Sequence, residues 1–382
     1  MRNIIALIII VVLLIIPAKI FAQRTDIDPP VTKKVMVINF NPIIESYNSQ
    51  RLTYVNGWND TNLLNFQYIN DVRQVSGGYA NYQIVENLTV DDFPTKADGF
   101  KYTDITYMQC WQNHDTCHVA DGVNYNKILT DYDVCGKRNR GEIDELWIFG
   151  GPWFGYWEST MAGPNSFWLN SVPLTNTSCT KQLIIMGYNY ERNVAEMIEN
   201  LGHRTESVMR YVYGSWQYPP HHDWDKFTVY DKEAPGLAAC GNVHYAPNSD
   251  TDYNWSNTRQ VDSSCDDWFN YPNLTGAKTQ VSCLTWSCNE WDGYTYKKWW
   301  FNHLPRYSGT TNGKWNNWWR YILDYEQAMT GQPYPSDNPF YTWSNLKNII
   351  TNYLSSLDTG YRFADFKLNI MDLGYIISRI RP

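Results

Sequence analysis

Charge is scarce in this sequence. Asp, Glu, Lys and Arg make up only 18% of its 382 residues, and the acidic side leads, 39 to 31, for a formal charge of −8. A nucleic-acid partner needs a basic face, and this balance argues against one. Long apolar runs are missing as well, apart from residues 4–16. Nothing after them is long enough for a bilayer span, which takes roughly 20 apolar residues. The chain has no Gly-x-Ser-x-Gly elbow, which argues against an α/β-hydrolase of the usual build. It also has no His-Glu-x-x-His: Glu199 stands where the first His of that motif would be.

What the chain does have is rings and sulfur. It carries 18 Trp and 29 Tyr, more than a core can absorb when their N–H and O–H groups need partners. Many are therefore expected on surfaces or along a cleft, where a flat ring packs on the C–H face of a sugar. The eight cysteines (Cys110, Cys117, Cys135, Cys179, Cys240, Cys265, Cys283, Cys288) form an even set, as in a disulfide framework. Cys110 with Cys117 and Cys283 with Cys288 are the shortest closures; spacing leaves the rest of the pairing open. The apolar run near the start fits an export signal: Arg2 precedes it, and Ile20-Phe21-Ala22 forms a cleavage site before Gln23. Residues 1–22 thus read as a signal peptide, with an uncleaved anchor as the alternative. Either way the expected location is secreted or cell-surface.

Lys34–Asn41 is a largely apolar run of the kind found in a parallel strand covered on both faces. Asn62–Gly77 has helical spacing. Tyr82–Val85 and Ile105–Met108 read as short strands, as do Leu146–Phe149, stopped by Gly150-Gly151-Pro152, and Gln182–Met186. The fold expected is α/β: a mostly parallel sheet with flanking helices over residues 33–325, its second half a large disulfide-bearing, loop-rich region. Pro333–Pro339 reads as a linker, and residues 341–382 return to helical periodicity as a helical hairpin.

The chemistry concentrates on the helix expected over Asn189–Val212. At roughly 100° per residue, Glu196, Glu199, His203, Glu206 and Arg210 share one narrow stripe. Such a stripe can be a solvated face with i,i+3 and i,i+4 ion pairs. It can also be a site, and Gly202, a poor helix residue, leaves room for another segment or a substrate beside the imidazole. His203, Glu206 and His244 form a candidate three-ligand site for zinc or another divalent metal. Glu158 or Glu199 would be the base, and Glu199 could instead support His203 from one turn away. Ligands of open α/β sheets collect beyond the carboxyl ends of strands. These residues are therefore expected in a cleft floored by Leu146–Phe149, with Trp153, Tyr156 and Trp157 holding substrate. Two other readings stay open. One is a metal-free hydrolase that pairs Glu158 with Glu206 or Asp144 across a sugar. The other is a carbohydrate-binding or scaffold-docking protein without chemistry.

Two resemblances add to this. Asp365-Phe-Lys-Leu-Asn369-Ile-Met-Asp372-Leu-Gly, following the helix Trp343–Ser356, resembles the loop-then-helix half of a bacterial dockerin, which implies a cohesin-like docking partner. Tyr361 and Phe363 replace expected calcium ligands and Phe366 the sharp-turn glycine, which argues against calcium there. The segments Trp147–Glu158, Gly202–Glu206 and Cys240–His244 are similar to those of a group of uncharacterised exported proteins, over roughly residues 34–322. That resemblance implies no activity.

Overall fold

The computed structural model describes residues 27–119, 122–214 and 220–329. The signal-peptide, linker and dockerin-like segments read from the sequence, with the calcium and cohesin expectations attached to the last, lie outside the described residues.

A five-stranded sheet forms the centre. Strand β1 (Val31–Phe40) leads through helix α1 (Thr61–Val75) to β2 (Ala80–Val90), which pairs with β1 in parallel. After helix α2 (Asp104–Gln112) the chain returns to the other side of β1 as β3 (Glu145–Gly150), again parallel. A short strand β4 (Ser159–Ala162) precedes β5 (Leu183–Asn189), which pairs with β3 in parallel and with β4 antiparallel. The order is therefore β2-β1-β3-β5-β4. The 20-residue helix α3 (Val194–Tyr213) follows and covers this sheet. In the second half, helices α4 (Tyr294–Asn302) and α5 (Trp319–Leu323) both pack on α3.

The mostly parallel α/β sheet with flanking helices is the architecture expected. Apolar density explains the two central strands: every residue of β3 is buried, as are six of the seven in β5. The element ends are capped as the local chemistry requires. The Asp60 carboxylate accepts from the N–H groups of Asn62 and Leu63 to start α1, and Asn193 accepts from Ala195 to start α3.

Three elements depart from the sequence reading. Ile105–Met108 is not a strand but the middle of α2, because Thr103 and Thr106 close a reciprocal capping box at its start. Strand β2 runs eleven residues, not the four of Tyr82–Val85, and its outer half alternates between half-buried and exposed positions. It is an edge strand, so half its side chains need not be apolar. Strand β4 (Ser-Thr-Met-Ala) carries no sequence signal because it has no apolar run. Its small residues are all buried, and Ser159 and Thr160 donate to the Leu169 and Val172 carbonyls.

The loop-rich second half adds an aromatic cluster to the same core: Trp224, Phe227, Trp268, Trp300 and Trp318 pack mostly edge-to-face or tilted, with Trp224 and Phe227 stacked. Four disulfides staple the chain: Cys110–Cys117, Cys135–Cys179, Cys240–Cys265 and Cys283–Cys288. Among the described residues, no helix is long and apolar enough to cross a membrane.

Candidate metal centre

Helix α3 is buried on nearly every side, which rules out a solvated stripe: His203 is 3% exposed and Glu206 1%. Its sheet-facing side chains are Asn200, which donates to the Gly187 carbonyl of β5, and Arg204, which forks onto both oxygens of Glu145 in β3. Glu199, His203 and Glu206 stand on a different flank of the helix, turned toward the loop that carries His244.

That loop is held from several directions. Cys240 is tied to Cys265, Trp300 Nε1 donates to the Gly241 carbonyl, and Trp255 Nε1 donates to the Val243 carbonyl. The Asn242 side chain accepts from the backbone N–H groups of His244 and Tyr245. Gly202 is what lets the loop approach: a Cβ there would sit 2.4 Å from Val243 Cγ2. The room expected beside the imidazole is filled by the segment bearing the second histidine.

Glu199, His203 and His244 converge closely enough to hold a metal ion, one ligand atom of each lying within 4.8 Å of the others. The two Nε2 atoms are 3.1 Å apart. Glu199 Oε1 is 3.4 Å from His244 Nε2 and 4.0 Å from His203 Nε2. Bonds of about 2.0–2.1 Å in a tetrahedron put donor atoms about 3.3 Å apart, so the three fit one small cation. Each ring is also faced from behind by a carboxylate. His203 Nδ1 lies 3.1 Å from Glu206 Oε2, and His244 Nδ1 lies 3.2 Å from Asp252 Oδ1. The hydrogen bond to Glu206 turns the His203 Nε2 lone pair inward, as in carboxylate–histidine–metal arrangements, while Asp252 faces His244 Nδ1 as an ion-pair partner.

The electrostatics agree. Burial works against charge on His203, yet the Glu158 and Glu206 carboxylates outweigh it and raise its pKa. Burial likewise opposes a charged His244, but Asp252 and Glu199 push it up to about 9. Glu199 would be raised by burial, but the hydrogen bond from His244 and the Lys297 ammonium hold it down at about 2. Lys297, from α4, sits 2.7 Å from Glu199 Oε2. Four carboxylates (Glu158, Glu199, Glu206, Asp252) thus surround two imidazoles and one ammonium, a field that draws in positive charge. Two nitrogens 3.1 Å apart cannot both point a proton at the other; they share a proton or a cation.

The expected site residues divide accordingly. His203 and His244 meet, as the sequence reading required. Glu206, expected as the third ligand, instead has one oxygen on His203 Nδ1 and the other accepting from the Val243 N–H. Glu199, expected as base or support, is the carboxylate that stands with the two histidines in the group that could hold an ion. Glu158 is 3.9 Å from His203 Nε2, and Asn170 donates to the same carboxylate oxygen. No residue of the strand Leu146–Phe149 lines the cavity beside Glu199, and α3 meets the sheet through Asn200 and Arg204 instead. The crevice at the carboxyl ends of β1 and β3, where the strand order reverses, is filled: a Cβ on Gly151 would meet Tyr107, Trp58 and Tyr190.

The aromatic loop serves packing. Trp157 stacks on Tyr125 at 5.2 Å, Tyr156 packs against Phe154 and Phe40, and Trp153 leans on His114. None of the three walls the cavity beside Glu199, whose rings are Tyr253, Trp255 and Trp291. Asp252, Lys297 and these rings carry no sequence signal, since they lie about 40 to 85 residues beyond α3 in no recognisable motif. Compared with known protein families and with curated proteins, the chain matches none, so the chemistry of this site rests on its own atoms.

Proposed function

We propose that the protein is an exported, metal-dependent hydrolase acting on an extracellular polymer, a glycan or a peptide. The observation that carries this reading is the pair of inward-facing Nε2 atoms beside Glu199, each ring backed by its own carboxylate. Glu199, His203 and His244 would hold a divalent ion, zinc being the best match to a His/His/Glu set. Such an ion supplies Lewis acidity and makes water a nucleophile near neutral pH.

The remaining residues have definite work in that scheme. Glu206 and Asp252 fix the ring orientations, and Lys297 holds Glu199 so that one oxygen faces the histidines. Glu158 is the base: its side chain is 42% exposed, enough to meet substrate, and Asn170 orients it. It takes a proton from the attacking water and returns it to the leaving oxygen or nitrogen as the bond to that atom breaks. Export is supported by the leader-like start of the sequence and by four disulfides.

Hydrolysis assays of the purified protein against polysaccharide and protein substrates test this. Activity that disappears with chelation and returns with zinc is expected. Glu158→Gln should retain metal while its rate falls by about 10²–10⁴. Glu158→Gln hydrolysing at the wild-type rate would remove that residue from the mechanism.

A further inference from the structure

Beside the metal centre lies a cavity of about 290 Å³, near the lower end of ligand pockets, about 300–1,000 Å³. It shares Glu199 and Lys297 with the centre and is otherwise walled by Arg192, Asn193, Glu196, Asp292 and the rings of Tyr253, Trp255 and Trp291. The rings are presented unequally. Trp255 is buried at 4%, whereas Tyr253 is 50% and Trp291 75% exposed. A tryptophan left in water at a cavity rim contributes little to the fold, yet its backbone is firmly placed. Gly293 lies so close to the Trp255 ring that a Cβ would come within 2.3 Å. Asp292 accepts from the Asn193 side chain at 2.8 Å, and the Cys283–Cys288 disulfide closes the preceding turn.

The charges in the cavity are internally matched. Arg192 pairs with Glu196 at 2.9 Å and Lys297 with Glu199 at 2.7 Å, so neither cation is left over for an anionic ligand. Burial pushes Glu196 up to about 7 against the pull of Arg192. The walls come from helices and loops, with no strand edge on which an extended peptide could add itself. An exposed flat ring above a floor of carboxylate and amide groups suits a ring compound with one C–H face and equatorial hydroxyls.

We propose that this cavity is a binding subsite for a neutral sugar ring of the polymer cleaved at the adjacent centre, with Trp291 and Tyr253 stacking on the pyranose and Asp292 and Glu196 bonding its hydroxyls. The proposal rests on the hydrolase reading above for the term "substrate", but the binding itself does not require a metal. Isothermal titration with neutral gluco-, manno-, xylo- and N-acetylglucosamine oligosaccharides tests it, with oligogalacturonate and a casein peptide digest alongside. At least one neutral oligosaccharide should bind. Trp291→Ala, a change on the surface, should weaken that binding about tenfold or more. Chelator-treated protein should still bind it, so failure of the metal reading leaves this result standing. Absence of heat with every neutral sugar, binding indifferent to Trp291→Ala, or preference for the uronate or peptide would overturn the proposal.

Discussion

Each imidazole of the pair is held from behind, and the two supports differ in kind. Glu206 is fully buried and has both oxygens occupied, one on His203 and one on the Val243 N–H. Asp252 is 41% exposed at its side chain, so water competes for it. Glu206→Gln therefore should weaken metal affinity by about 10–100-fold without changing the number of ions bound, as read by competition with a chromophoric chelator. Unchanged affinity would mean that His203 is oriented by packing alone. The sequence showed that His203, with carboxylates at i−4 and i+3, could ligate. It could not show which carboxylate turns inward, since both are one helical turn away. The backbone of Val243 decides it by engaging Glu206, and that contact spans 37 positions. Trp153, Tyr156 and Trp157 mislead in the opposite direction: a cluster of rings beside a strand end resembles a binding wall, but its partners Tyr125, Phe40 and His114 come from separate segments.

At the level of elements, the site depends on α3 and the 240–244 loop lying in close contact, and Gly202 sets that distance. Gly202→Ala places a methyl 2.4 Å from Val243 Cγ2. Overpacking of this kind costs about 1–3 kcal/mol, against about 1 kcal/mol gained in helix propensity. Val243→Ala removes both methyl groups in the way. The double variant should be more stable in urea than Gly202→Ala alone, with a coupling of about 1–3 kcal/mol between the two changes. Strict additivity would show that the loop shifts freely and that its place on α3 is not fixed by this contact. The sequence marked the glycine as an approach point because it is anomalous within an amphipathic helix, but periodicity is local and cannot name the approaching segment. The same limit explains α2, where apolar residues at 105 and 108 suit a strand or a helix and only the Thr103–Thr106 box decides, and β4, whose Met161 and Ala162 are too short a run to read.

Across the whole molecule, Arg204 joins the two halves. Its guanidinium is fully buried, forks onto Glu145 of β3 at 2.7 and 2.9 Å, and donates to the Ile322 carbonyl of α5. Arg204→Met leaves Glu145 buried without its cation. It should lower stability by about 3–5 kcal/mol, seen as a fall in the denaturation midpoint of both halves together; retention of wild-type stability would show that Glu145 finds another partner. The sheet behind this pair was legible because buried parallel strands are dense in apolar residues, whereas the packing of the second half rests on disulfides and scattered rings that leave no period. This frame brings His203, His244 and Glu199 close enough to bind one ion, a reading open to direct measurement. Its most direct test is elemental analysis of the mature protein after dialysis against zinc, with His203→Ala and His244→Ala measured beside it under the same conditions. One tightly held divalent ion per chain is expected in the wild type and none in either variant, with all three proteins folded by circular dichroism. A wild type that holds no ion, or variants that keep it, would contradict that reading.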